Sequence, residues 1–261
     1  MCDTCGCNIT TGNQHLLEKP EHKSVTGKSA VQVLQSLLSA NDHQAVHNRE
    51  HFDQHQVLAI NLMSSPGSGK TSLLESTINA LKDEFNIAVI EGDLETENDA
   101  ERIRKTGVPA IQIVTGTACH LDAHLIHHAL HDLALAPLDI VFIENVGNLV
   151  CPASFDLGHH RNIVLLSVTE GDDKPLKYPV MFRNADLILL TKTDLLPFLD
   201  DFDPRKAESN IQQLANNAPF IQLSAKKTIG MTAWLDWLRT TVKTQQKRVQ
   251  QGKTTLPGHH D

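Results

Sequence analysis

Residues 57–63, Val57-Leu-Ala-Ile-Asn-Leu-Met63, run straight into Ser64-Ser-Pro-Gly-Ser-Gly-Lys-Thr71 and then into a helical stretch reaching residue 84. An apolar strand, a glycine-bearing loop and a helix in that order make a unit that captures phosphate. Gly67 and Gly69 let backbone N–H groups turn inward, and the positive end of the helix dipole adds to the attraction. The pattern is a phosphate-binding loop with Ser64 in place of its usual first glycine. In such a loop Gly67, Ser68, Gly69 and Ser72 line the nucleotide phosphates. Lys70 reaches the β- and γ-phosphates, and the Thr71 hydroxyl is offered to Mg2+.

Outward from this unit, strand-like runs occupy Val57–Met63, Ile87–Ile90, Ala110–Val114, Ile140–Ile143, Ile163–Val168, Leu187–Leu190 and Phe220–Leu223. Helical stretches fall around 70–84, 96–105, 119–135, 204–215 and 230–248. This alternation predicts an α/β fold of the P-loop NTPase type, a mostly parallel sheet with helices on both faces. Its ligand site belongs at the carboxyl ends of the strands. The organisation expected is a flexible cysteine-bearing, metal-binding tail over 1–30 and a histidine-bearing helical segment over 31–55. A nucleotide-binding G domain over 56–249 and a disordered tail over 250–261 follow.

The base is selected elsewhere. The run Leu187–Leu190 ends in Thr191-Lys192-Thr193-Asp194, close to the Asn-Lys-x-Asp guanine motif. A carboxylate such as Asp194 accepts both N1–H and N2–H of guanine, a donor pair that adenine lacks. The stem of Lys192 covers the base plane. Thr191 lacks the carboxamide of the usual Asn and gives up one supporting hydrogen bond. One strand later, Ser224-Ala225-Lys226 matches the element that backs the guanine ring.

Two carboxylates close earlier strands, Asp93 after Ile87-Ala-Val-Ile-Glu-Gly and Glu144 after Ile140-Val-Phe-Ile. From there they hold Mg2+ or orient the attacking water, so Lys70, Asp93 and Glu144 are the candidate catalytic groups. The segment Glu144-Asn-Val-Gly-Asn148 suits a γ-phosphate sensor, with Gly147 as its mobile point.

Composition limits the remaining choices. The chain has 261 residues, 40% hydrophobic and 21% charged, with 14 Gly and 11 Pro. That length fits one large domain with appendages and excludes collagen-like or wholly disordered chains. Its 23 basic and 31 acidic residues give a net charge of −8, which argues against nucleic acid as a partner. No apolar stretch is long enough to span a bilayer, and the start has no export signal, so a cytoplasmic location without membrane contact is expected.

Fifteen histidines and five unevenly placed cysteines are the unusual features. In a reducing compartment, thiols at short spacing are metal ligands rather than disulfides. Cys2, Cys5 and Cys7 close around one soft-accepting cation, and the freed α-amine of Cys2 would complete a square-planar set suited to Ni2+. Cys119-His120 and Cys151 follow strands on the nucleotide side, where spacing leaves metal ligation and simple burial both open. Histidines at 43, 47, 51 and 55, and at 124, 127, 128 and 131, form two stripes read as solvated polar faces in preference to Ni2+ or Zn2+ ligation by pairs one turn apart, with the 43–55 stripe the better candidate for a low-affinity nickel reservoir.

The loop, the 144–148 segment, Thr191–Asp194 and the Cys-x-x-Cys-Gly-Cys start together resemble the HypB family of nickel-handling GTPases, over almost the whole length. The resemblance implies a G domain that forms a homodimer with GTP. It also implies a high-affinity Ni2+ site at Cys2, Cys5 and Cys7, and a site for Ni2+ or Zn2+ at Cys119, His120 and Cys151 on the dimer interface. The partners it implies are a HypA-type metallochaperone and the hydrogenase large-subunit precursor. A urease-type nickel-insertion GTPase and a nickel-storage protein with incidental GTP turnover are the alternatives.

Overall fold

A computed structural model describes residues 30–93, 97–116 and 120–258. The expectations placed on Cys2, Cys5, Cys7 and Cys119 lie outside the described residues. The chain forms α1 (Ala30–Gln54), β1 (Leu58–Ser64), α2 (Lys70–Leu81), β2 (Ile87–Asp93), α3 (Asn98–Arg104), β3 (Ala110–Val114), α4 (Ala123–His131) and β4 (Ile140–Glu144). It continues with β5 (Arg161–Ser167), α5 (Lys174–Lys177), α6 (Pro179–Arg183), β6 (Leu187–Thr191), α7 (Pro204–Gln212), β7 (Phe220–Gln222) and α8 (Met231–Gln250). Among the described residues the strands form one sheet in the order β3-β2-β4-β1-β5-β6-β7, every neighbouring pair parallel.

The two-residue period of β1 distributes the core. Leu58, Ile60 and Leu62 pack with Leu73, Leu74 and Ile78 of α2 and with Trp234 and Leu238 of α8. Ala59 on the other face packs with Phe52 of α1 and Ile126 of α4, and Met63 with Phe182 of α6 and Ile211 of α7. Both faces of β1 are therefore covered, which explains why its sequence is apolar except at Asn61 and the terminal Ser64 rather than alternating.

Two boundaries differ from expectation. The helix expected from 119 begins at Ala123, because the Asp122 side chain accepts from the Leu125 N–H at 2.8 Å and caps it. The segment over 31–55 is not a separate appendage. Phe52 is fully buried, and Arg49 donates to both carboxylate oxygens of Asp156 at 2.7 Å. The described part of the expected tail also departs from fraying: Thr255 is buried and the Gly258 N–H donates to the Asp186 carboxylate at 3.1 Å. No described helix is long and apolar enough to cross a membrane.

Candidate functional site

The phosphate loop leaves β1 at the middle of the sheet, where the strand order reverses direction, and its helix α2 begins at Lys70. Gly67 and Gly69 hold φ values of 74° and 97°, a region that strains residues bearing a Cβ. Three side chains from outside the loop fix its shape. Lys192 Nζ donates to the Gly67 carbonyl at 2.6 Å, and Thr191 Oγ1 donates to the Ser68 carbonyl at 2.8 Å. The Glu170 carboxylate accepts from Ser65 Oγ at 2.6 Å and from Ser68 Oγ at 2.5 Å. Thr191 thus does more than lose an Asn contact, since its hydroxyl ties the base motif to the loop. Lys70 is buried, its Nζ donating to Ser64 Oγ at 3.1 Å.

A cleft of about 280 Å3 opens beside the loop. Ser68, Gly69 and Ser72 line one side, and Lys192, Asp194 and Ser224-Ala225-Lys226 line the other. Residues more than 120 positions apart in sequence therefore share one cavity with a phosphate end and a carboxylate end. The Ser224 element is itself held by a bridge to Ile229, with N–H···O distances of 2.8 and 3.1 Å.

Deeper in, Thr71 Oγ1 donates to Glu144 Oε1 at 2.9 Å. The β2–β4 register sets Glu91 beside Glu144, and ligating oxygens of Glu91, Asp99 and Glu144 lie within 4.8 Å of one another. Asp93 is half-buried at the end of β2 and is not in that group. Burial and the neighbouring Glu144 push the Glu91 carboxyl up to about 11, so at neutral pH Glu91 is protonated and hydrogen-bonded to Glu144. Burial also raises Glu144, while Lys70 acts to lower it. Apart from this carboxyl–carboxylate contact, Oε2 of each glutamate is buried with no hydrogen-bond partner among the described residues. Glu91, Asp99 and Glu170 were not among the residues singled out from sequence. Glu91 had a readable signal, an ionisable residue inside an apolar strand; Asp99 and Glu170 had none.

The segment after β4 connects this corner to the second cysteine region. Asn145 Oδ1 accepts from the Leu121 N–H at 3.3 Å, and Asn145 Nδ2 donates to Asn61 Oδ1 at 3.2 Å. His120 is buried and stacks on Phe155 with ring centroids 3.9 Å apart. Phe155 directly follows the 3-10 turn Cys151–Ser154, which the buried Cys151 opens. Burial lowers the His120 pKa, favouring the neutral imidazole that a metal requires. A Cβ at Gly147 would meet Pro66 backbone atoms at 2.8 and 2.9 Å, so glycine there permits close packing on the phosphate loop.

The two histidine stripes, read as separate solvated faces, meet. His47 and His51 of α1 face His127 of α4, with ring centroids 5.2 and 6.1 Å from it.

Comparison with known proteins agrees with this geometry. Residues 58–222 match the family model "CobW/HypB/UreG, nucleotide-binding domain". The hydrogenase maturation factor HypB of Rhizobium leguminosarum bv. viciae is 54% identical over 211 residues, spanning 81% of this chain and 70% of that protein. The HypB of Escherichia coli K12 is 53% identical over 204 residues, spanning 78% of this chain and 70% of that one. The crystal structure of Helicobacter pylori HypB in complex with nickel superposes with a TM-score of 0.75 at 44% identity, covering 78% of this chain and 96% of that chain. The family match over residues 58–222 and relatives this similar place the chain in the CobW/HypB/UreG family of nucleotide-binding proteins, within its HypB branch.

Proposed function

We propose that the chain is a GTP-hydrolysing nickel chaperone that delivers Ni2+ during maturation of [NiFe]-hydrogenase. The observation that carries this reading is the shared cleft, in which loop residues Ser68, Gly69 and Ser72 face Lys192, Asp194 and Ser224–Lys226. With GTP bound, Asp194 accepts the two guanine N–H groups, the Lys192 stem covers the base, and Ser224-Ala225-Lys226 backs the ring. The phosphates lie against Gly67–Thr71, and Lys70 turns from Ser64 to the γ-phosphate. The Thr71 hydroxyl, the adjoining Glu144 carboxylate and its unpartnered Oε2 suit a hard cation. Thr71 and Glu144, with Asp93 acting through water from the end of β2, would hold Mg2+ there, and the ion would neutralise charge developing on the phosphates. Glu144 orients a water in line with the γ-phosphorus; the new P–O bond forms as the bond to the β-phosphate oxygen breaks, giving GDP and phosphate.

In this reading Ni2+ is cargo. Cys2, Cys5 and Cys7 bind it at high affinity. Cys119, His120 and Cys151 take Ni2+ or Zn2+ where two copies meet in the GTP-bound dimer. Exchange with a HypA-type metallochaperone and the hydrogenase large-subunit precursor completes delivery. The test is complementation of a deletion strain at limiting nickel with native protein and with Lys70→Ala. Native protein should restore hydrogenase activity and Lys70→Ala should not. Equal restoration by both would overturn hydrolysis-driven delivery in favour of nickel storage.

A further inference from the structure

The pairing of α1 with α4 concentrates imidazoles. His47 and His51 stand one turn apart on α1, and His127 projects from α4. Their ligating nitrogens all lie within 4.8 Å of one another. His131, one turn beyond His127, brings its Nε2 to 3.2 Å from His127 Nε2. His47 is exposed while His51 and His127 are half-buried, so the cluster opens to solvent on one side.

The helices that carry these rings are fixed. Asn48, between the two α1 histidines, donates to the Ala123 carbonyl at 2.7 Å and to the Leu157 carbonyl at 3.1 Å. Asn41 Oδ1 accepts from the Ala123 N–H at 2.9 Å. Phe52 on α1 and Ile126 on α4 are fully buried in one core cluster. Three donors are thus preorganised by two rigid elements rather than gathered from a flexible stripe. His127 Nδ1 is buried with no hydrogen-bond partner among the described residues, which is costly unless the ring finds another electron-pair acceptor. Burial and the neighbouring histidines lower the pKa values of His51 and His127, keeping both rings neutral. Metal–nitrogen bonds near 2.0–2.1 Å put tetrahedral ligand atoms about 3.4 Å apart, a spacing that modest ring rotations reach from here.

We propose that His47, His51 and His127 form a binding site for one borderline divalent transition cation of the Ni2+ and Zn2+ class, with water or His131 as fourth ligand. The site uses no cysteine and no nucleotide-contacting residue, and so is independent of the thiolate sites and of GTP.

The test is equilibrium dialysis of the full chain against Ni2+ without nucleotide, comparing native protein with His51→Ala, His127→Ala and a His43→Ala/His55→Ala control. The thiolate-to-nickel charge-transfer band reports the cysteines separately. Each of His51→Ala and His127→Ala should lose one equivalent, or weaken it at least tenfold, with the charge-transfer band unchanged. The control should keep that equivalent, because His43 and His55 stand outside the cluster. Equal stoichiometry and affinity in all four proteins would overturn the site. Loss in the control equal to that in His127→Ala would also overturn it, assigning binding to the exposed stripe instead. Because GTP is absent throughout, neither outcome bears on the GTPase reading.

Discussion

Asn145 and Leu121 are joined by a hydrogen bond from the Leu121 N–H to Asn145 Oδ1, 3.3 Å long. Asn145 follows Glu144, whose carboxylate receives the Thr71 hydroxyl, and Leu121 follows His120. One side chain therefore spans the gap between the nucleotide corner and a proposed metal ligand. Asn145 also extends a buried polar chain, because Asn61, which it contacts, donates onward to Asn162 Oδ1 at 3.1 Å.

If this contact couples the two sites, Asn145→Ala should remove most of the difference in Ni2+ affinity between the GDP and GTP-analogue states. Linkage makes the effect reciprocal, and a coupling of about 5–150-fold is typical. Metal titration in both nucleotide states checks it; an undiminished difference in the variant would rule Asn145 out. The substitution also strands Asn61 Oδ1 and the Leu121 N–H, so a stability loss of about 1–3 kcal/mol is expected.

Asp194→Asn should erase preference for guanine, because the amide opposes one guanine donor with its own NH2. The expected loss is about 1–3 kcal/mol of GTP affinity per unpaired bond, with ATP binding little changed. Competition titration with GTP, ATP and xanthosine triphosphate reads this directly, the last of these gaining affinity. Native protein that binds ATP and GTP equally would refute the role of Asp194.

Glu170 acts on the phosphate loop as a positioning residue through Ser65 and Ser68. Glu170→Ala frees both hydroxyls and should weaken GTP binding several-fold, with a smaller effect for Glu170→Gln, which retains an acceptor oxygen. Gly147→Ala should act on the same loop from the other side, by displacing Pro66. A rise in KM larger than the fall in kcat distinguishes loop positioning from a role in the chemical step.

Glu91 titrates against folding at high pH. Its folded pKa of about 11 lies above the ordinary carboxylate value, so the native state holds a proton that the unfolded chain releases above about pH 4.5. This contribution is present in full below pH 4.5 and is lost as pH rises toward 11. Glu91→Gln keeps a donor to Glu144 without the ionisation penalty. Denaturant unfolding with chelator present should find it more stable than native protein at pH 8 and no more stable at pH 4.

His159 supplies the opposite limb. Burial lowers its pKa to about 4, and its Nε2 lies 2.7 Å from Asn162 Oδ1. The unfolded chain takes up a proton on histidine near pH 6.5 while the folded chain resists until about 4, so stability falls as pH drops across that window. In the Glu91→Gln background, which removes the opposing carboxyl, the unfolding midpoint should decline between pH 6.5 and 4. His159→Gln should flatten that decline; an unchanged slope would exclude His159 as its source.

The primary sequence determined the local units of this protein. Each strand is built on a short apolar run and each glycine or threonine of the phosphate loop sits at a spacing imposed by its ligand chemistry, so β1, the loop and α2 are legible in about two dozen consecutive residues. The base motif at Thr191–Asp194 and the carboxylate at Glu144 were legible for the same reason, each lying at a strand end. What lies between elements was decided only in three dimensions. Glu91 meets Glu144 because β2 and β4 pair in one particular register, and a one-residue slip would turn Glu91 to the other face. Glu170 reaches Ser65 and Ser68 across more than 100 positions of chain, and the close approach of Gly147 to Pro66 exists only once β4 lies beside β1. The histidines show the limit most plainly. Two stripes with the period of a helix read as solvated faces, since periodicity reports which side of one helix is polar and not what crosses it. The buried contacts of Asn41, Asn48 and Phe52 set that crossing, and with it the meeting of His47 and His51 with His127.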